Sequence, residues 1–296
     1  MLPAPAIVDA HHHVWDLTVR PQPFLDTAPA LAPLRRSFLL QELAPQATAV
    51  GVTATVVVQT VTEPGETPEL LTLAATGPLV AAVVGWTDLA APSVADALGE
   101  LKALAGGQRL AGIRHPLLTE PDQDWLERAD IRRGLSALAA VGLPFDLVLR
   151  PSQLPAAVRA AASLPDLRFV LDHLGNVAVR PRPDPAWAAG FTALARLPNT
   201  ACKLSGIFSA PAPAGKSGPG ERPDDSVAHL RPYLHLALDS FGPDRLMFGS
   251  DWPVCTLGAS YTDVVTAALT LTSTLSGPEQ AAILAGTARS VYHIRG

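Results

Sequence analysis

Eight short runs, apolar almost from end to end, recur along this chain with a helix-like segment after each. They span residues 7–13, 52–59, 79–86, 110–115, 144–149, 167–173, 200–205 and 245–251. Runs of this length, rich in β-branched residues and without polar alternation, suit strands buried on both faces, as in a parallel sheet covered by helices. The segments between them cover 37–50, 66–76, 93–104, 125–141, 153–163, 185–197 and 226–241. In the fourth, Ile131, Leu135, Leu138 and Val141 fall on one helical face. Two more helices, 261–272 and 278–291, follow the last run. Ser37 is read as the cap of the first helix. Strand–helix alternation predicts an α/β protein with a parallel sheet, and eight units predict a (β/α)8 TIM barrel forming one domain over 1–296. An open doubly wound sheet is the alternative. No Gly-x-Gly-x-x-Gly turn follows any run, which argues against a dinucleotide-binding version.

Charge narrows the function. The net charge is −5, without the basic footprint that nucleic acid needs. No basic, then apolar, leader opens the chain, and no apolar run is long enough to span a bilayer. Cys202 and Cys255 form neither a disulfide framework nor zinc spacing. They fit a reducing cytoplasm, and Cys202 reads as a small buried hydrophobe.

In a barrel the C-terminal strand ends meet at one mouth. Here those ends carry His11, His13, Gln59, Trp86, Arg114, His115, Arg150, His173, Lys203 and Asp251. Polar groups are costly after apolar runs unless they share partners, so their recurrence predicts a common polar site. Strand alternation places Ile7, Asp9, His11 and His13 on one face and His12 on the other. Two imidazoles on one face can bind a metal or hold a substrate. His12 and Asp172 have the opposite parity and read as groups that support the site residues from behind or serve the fold. Arg114 and His115 point apart, and Arg114 is taken as the one facing the axis. Lys203 shares its face with Ser205. The Pro-rich stretch 18–36 reads as a long loop of the kind that serves as a lid. Ser209–Arg222, rich in Pro, Gly, Ala and Ser, reads as an insert at the mouth.

Six motifs carry a resemblance. They are Asp9-Ala10-His11-His12-His13-Val14-Trp15-Asp16, Val83-Val84-Gly85-Trp86-Thr87-Asp88-Leu89, Gly112-Ile113-Arg114-His115, Leu171-Asp172-His173-Leu174-Gly175, Cys202-Lys203-Leu204-Ser205-Gly206, and the run Arg245 to Val254. Through them the chain resembles the amidohydrolase superfamily, in its branch of L-fuconolactonases and L-rhamnonolactonases. The resemblance implies a distorted amidohydrolase-type barrel and a hydrolase of a small, sugar-derived lactone in carbohydrate metabolism. It implies that His11, His13, His173 and Asp251 are the catalytic residues and the metal ligands, with Asp251 as general base. Arg114 and Lys203 become clamps for substrate and for the developing oxyanion. Trp86 and Trp252 become faces for a sugar ring, or walls of the mouth.

The fourth run ends in Arg114 and His115, where binuclear members carry a bridging lysine or glutamate. The resemblance therefore implies at most one divalent cation, zinc first. The cation need not be required, since Arg114 and Lys203 can supply positive charge. Relatives often place a basic residue where Asn176 stands, which bears on substrate identity. The expected partner is the lactone alone, with no nucleic acid and no membrane, and with association into a homo-oligomer. Two other readings stay open. Zinc-dependent decarboxylases of aromatic acids share the His-x-His, the later His and the final Asp, but not the Gly-Ile-Arg-His and Cys-Lys-Leu-Ser-Gly runs. A non-catalytic ligand binder or metal store is the third.

Overall fold

The computed structural model describes residues 6–208 and 227–295. The insert at Ser209–Arg222 lies outside the described residues. Eight parallel strands follow one another in sequence order: β1 (Ile7–His12), β2 (Val52–Val58), β3 (Val80–Gly85), β4 (Leu110–Pro116), β5 (Phe145–Val148), β6 (Phe169–Leu171), β7 (Thr200–Leu204) and β8 (Leu246–Phe248). The circle closes where the chain leaving β8 returns to β1. There Asp251 N donates to His11 O at 2.8 Å and His13 N donates to Trp252 O at 2.7 Å. The protein is thus a nearly closed (β/α)8 barrel.

The helices that cover it include α1 (Leu40–Ala49), α2 (Glu66–Ala75), α3 (Val94–Ala103), α4 (Ala129–Ala140), α5 (Leu154–Ser163), α6 (Pro185–Ala195), α7 (Arg231–Phe241) and α8 (Tyr261–Thr272). Large side chains such as Leu43, Leu71, Leu135, Phe191 and Phe241 fill the layer between helices and strands. The barrel interior is lined by smaller residues, among them Val8, Ala10, Val56, Val84, Val170, Ala201 and Met247. Tyr292 and Ile294 join that inner cluster, and Thr287 Oγ1 donates to Pro243 O just ahead of β8. The chain's last described turns therefore plug the end where the strands begin. No helix among the described residues is long and apolar enough to cross a membrane.

Two local expectations change. Ser37 does not cap α1, which begins at Leu40. Its hydroxyl accepts from Leu17 N at 2.9 Å and donates to Asp16 Oδ1 at 3.0 Å, tying the segment after β1 to the barrel. The stretch 18–36 is built on two 3-10 turns, Pro23–Asp26 and Pro29–Leu34, anchored by buried Leu25 and Leu34. A capping hydroxyl and a tethering hydroxyl look alike in sequence.

The face of β1 also differs from simple alternation. Asp9 pairs with Thr55 and His12 with Val57, so β1 carries one extra residue there, a β-bulge. Ala10 and His11 both reach the barrel interior. Asp9 and His12 point outward, Asp9 to Tyr261 on α8 and His12 to Thr55 Oγ1. Asp9 therefore does not share the face of His11 and His13, as alternation alone predicts.

Candidate active site

The bulge aims two imidazoles into the barrel, and Asp9 fixes the bulge from outside. Its carboxylate accepts from His11 N at 3.2 Å, from Ser250 N at 2.8 Å, from Ser250 Oγ at 2.6 Å and from Tyr261 Oη at 3.1 Å. Gly249 makes room for His11, because a Cβ there would lie 2.7 Å from the His11 Cβ.

His13 Nδ1 lies 2.8 Å from Val58 O. A carbonyl only accepts, so Nδ1 carries the proton and Nε2 is a bare lone pair. That Nε2 stands 3.2 Å from His11 Nε2 and 3.6 Å from Asp251 Oδ1. Asp251 Oδ1 is also 3.9 Å from His11 Nε2 and 3.9 Å from His173 Nε2. Both Asp251 and His173 have left-handed backbones, with φ of 60° and 53°. Such a conformation costs a non-glycine residue about 1–2 kcal/mol. His173 Nδ1 is held by Ser205 Oγ at 2.8 Å, and Gly206 leaves space that a Cβ would contest at 2.9 Å from the His173 Cβ.

Burial sets the charge states. It pushes His13 down to about 3, His11 well below its usual value, and His173 down as well. Burial thus favours the neutral form of all three rings. Burial also raises Asp251, while His173 and Arg114 pull the other way.

Arg114 and Lys203 occupy different places. The Arg114 guanidinium bonds the Gln59 carbonyl through Nη2, and its Nη1 is 3.2 Å from Asp172 Oδ2 and 3.3 Å from His11 Nε2. Lys203 is fully sealed. Its Nζ donates to Asp146 Oδ2 at 2.6 Å and lies 3.0 Å from Asp172 Oδ1 and 3.2 Å from His11 Nδ1. Tyr292 Oη donates to Asp146 at 2.8 Å beneath it. Burial opposes the Asp172 charge, but the neighbouring cations, Lys203 first and Arg114 with it, hold its pKa well below the carboxylate range.

A cavity of roughly 440 Å³ opens over this floor, within the usual size of small-molecule sites. His13, Arg114, His173 and Asp251 face it, with Thr60, Thr62, Glu63, Thr119 and Asn176 as further polar groups. Phe24 and Leu31, from the two 3-10 turns, and Leu118, Val148 and Val254 supply apolar wall.

The structure therefore brings His11, His13, His173, Asp251 and Arg114 together. Lys203 is a correction: with no exposure, it cannot clamp a substrate directly. Trp252 is another. It is 2% exposed and packs edge-on against Phe38 at 5.6 Å, away from the cavity. Trp86 also misses the cavity wall, donating its Nε1–H to His115 Nδ1 at 3.1 Å. His115 stacks on Trp125, outside the barrel interior. Asp172, fully buried, sits between Arg114, Lys203 and His11 and supports the site from behind, in keeping with its parity. Asp146 was missed outright. Its signal was a lone charge inside the apolar run 144–149, matched by Lys203 in 200–205, a pairing that burial demands.

The donors suit one divalent ion. His11, His13 and Asp251 each offer a ligand atom within 4.8 Å of the others, all buried. Two ligands on a tetrahedral zinc stand about 3.3 Å apart, and the two Nε2 atoms are 3.2 Å apart. Two histidines and a carboxylate also leave a fourth position open, as catalytic sites do. His173 falls in a second such group with His11 and Asp172.

Comparison with known proteins gives a consistent result. The amidohydrolase family pattern matches residues 8–294. An L-fucono-1,5-lactonase of Burkholderia multivorans is 37% identical over 293 residues, covering 96% of this chain and 95% of its own. A crystal structure of an amidohydrolase from Burkholderia multivorans, with zinc bound, superposes with a TM-score of 0.88 at 34% identity, covering 98% of this chain and 100% of that one. A 5-carboxyvanillate decarboxylase from Sphingomonas paucimobilis superposes with a TM-score of 0.67 at 16% identity, covering 99% of this chain and 100% of that one, a likeness of fold alone.

Proposed function

The chain belongs to the amidohydrolase family, and on that premise we propose that it is a lactonase, opening a small sugar-derived lactone by hydrolysis of the ring ester. The observation that carries this reading is the convergence of Asp251, His173, His13 and Arg114 on the floor of one cavity. Ester hydrolysis needs a base beside a water, positive charge at the developing oxyanion, and a proton for the leaving alkoxide.

In this reading Asp251 is the base. No side-chain hydrogen bond among the described residues engages its Oδ1, and the three imidazole nitrogens around it stand 3.6 to 3.9 Å away. It therefore has acceptor capacity to spare for water, and returns the proton to the alkoxide. Arg114 fronts the cavity and stabilises the oxyanion, held in place by Gln59 and Asp172. His173, fixed by Ser205, faces Asp251 and orients the reacting groups. Thr60, Thr62, Glu63 and Asn176 offer partners for ring hydroxyls. His11, His13 and Asp251 would hold one zinc ion, with His173 beside them. When bound, the ion supplies Lewis-acid polarisation and lowers the pKa of a coordinated water.

The test is hydrolysis of a panel of aldonolactones, followed by pH indicator, on protein of measured metal content before and after chelation. Turnover above the spontaneous rate supports the lactonase. Turnover that survives metal removal assigns oxyanion stabilisation to Arg114. Turnover lost on chelation and restored by zinc assigns it to the ion. No lactone turnover in either sample, with carbon dioxide released from an aromatic acid, would replace the reading with the decarboxylase one.

A further inference from the structure

Lys203 is sealed from the cavity, yet it touches the ring that forms half of the candidate ion site. The proton inventory around His11 shows what that contact does. His13 presents a bare Nε2 to His11, because its own proton is on Nδ1 facing Val58 O. Four groups then meet the His11 ring. At Nδ1 stand Lys203 Nζ, which can only donate, at 3.2 Å, and Asp172 Oδ1, which can only accept, at 3.4 Å. At Nε2 stand the His13 lone pair at 3.2 Å and Arg114 Nη1, a donor, at 3.3 Å.

These contacts sort into two proton arrangements of a neutral ring. With the proton on Nε2, His11 donates to His13 and accepts from Lys203. With the proton on Nδ1, His11 donates to Asp172, and two bare Nε2 lone pairs face each other across 3.2 Å. That second arrangement needs a donor or a cation for each of the two lone pairs. Arg114 Nη1, with one N–H on Asp172 Oδ2, can turn its other N–H to His11 Nε2, and the His13 lone pair is then left without a donor. At Nδ1 only the Lys203 contact has hydrogen-bond geometry, and Asp172 Oδ1 is left without a hydrogen-bond partner, as the first arrangement requires.

We propose that Lys203 is a positioning residue that holds His11 in the Nε2–H tautomer, keeping the His11–His13 pair closed to a metal ion until the ring's proton is carried on Nδ1 instead and donated to Asp172. The exchange is neutral: one proton leaves Nε2, one is bound at Nδ1, and the lysine N–H turns wholly to its carboxylate partners. Lys203 and Asp172 then act oppositely on one site, the lysine opposing the ion and the aspartate favouring it. Outer partners of metal-binding histidines commonly act in the way Asp172 does here. The metal half of this inference rests on the ion site of the preceding section. The metal-free half does not.

The experiment uses the whole chain labelled with nitrogen-15 at histidine, with the His11 signals identified by their loss in His11→Gln. In metal-free wild-type protein, nitrogen shifts should show the His11 proton on Nε2, and saturating zinc should move it to Nδ1. Zinc affinity, read by competition with a chromogenic chelator, should weaken about tenfold in Asp172→Asn and tighten about tenfold in Lys203→Met. A metal-free His11 already protonated on Nδ1 overturns the proposal, as do two variants that shift zinc affinity in the same direction. A protein that takes up no zinc overturns the ion site and its gating, while the metal-free spectrum still decides the role of Lys203. The wild-type spectra need no variant, so the proposal stays testable if Lys203→Met does not fold.

Discussion

Asp146 and Asp251 stand in the same barrel and live by different rules. Asp146 has no exposure and accepts at 2.6 Å from Lys203 and at 2.8 Å from Tyr292. Asp251 is 8% exposed, and its nearest cationic or imidazole nitrogens stand 3.6 to 3.9 Å off. One carboxylate is held through Oδ2 by an ammonium and a phenol in a dry floor, and the other keeps its acceptor capacity at a cavity that water can reach. A charge in the first setting holds structure, because its removal strands a partner without water. A charge in the second can be lent to a reaction. Asp172 bridges the two regions, with Lys203 on one side and Arg114 on the other.

The comparison can be broken by substitutions on either side of it. The largest effect on stability belongs to the floor. Lys203→Met leaves Asp146 without its cation and Asp172 with Arg114 alone, and should lower unfolding free energy by about 3–5 kcal/mol in a denaturant titration. A loss under 1 kcal/mol would mean that the lysine is not what holds the two floor carboxylates. On the cavity side, Arg114→Lys keeps the charge but loses the planar fork that reaches Gln59 and Asp172 together. Its kcat should fall about 100- to 1,000-fold, the cost of one oxyanion donor, with little change in unfolding temperature. Tyr292→Phe removes one hydrogen bond to a buried carboxylate and should cost about 1.5–3 kcal/mol of stability while leaving kcat near its original value. Phe24→Ala trims the apolar wall and should raise KM about fivefold, roughly 1 kcal/mol of binding, with kcat unchanged.

Much of this arrangement was legible in the sequence. Eight apolar runs, each with a helix behind it, pointed to a barrel with an open doubly wound sheet as the alternative, and strand ends in a barrel share a mouth. His11, His13, His173, Arg114 and Asp251 are all found there. What was not legible follows from geometry that alternation ignores. One extra residue in β1 turns His11 inward and Asp9 outward, and nothing in the letters marks a bulge. Lys203 reads as a cation at a strand end, but its depth in the barrel is fixed by the residues opposite, Asp146 and Tyr292, which are 57 and 89 positions away by numbering. Trp252 follows the base Asp251, yet the left-handed turn at Asp251 sends its ring out against Phe38.

The most direct test of the division between floor and cavity is Asp251→Asn, measured for aldonolactone hydrolysis and thermal unfolding on the same preparation. The account predicts hydrolysis reduced by about 100- to 10,000-fold, with an unfolding temperature at or slightly above that of the original, since no structural partner is stranded. Near-normal turnover in that variant, or a collapse of stability alongside the lost activity, would contradict it.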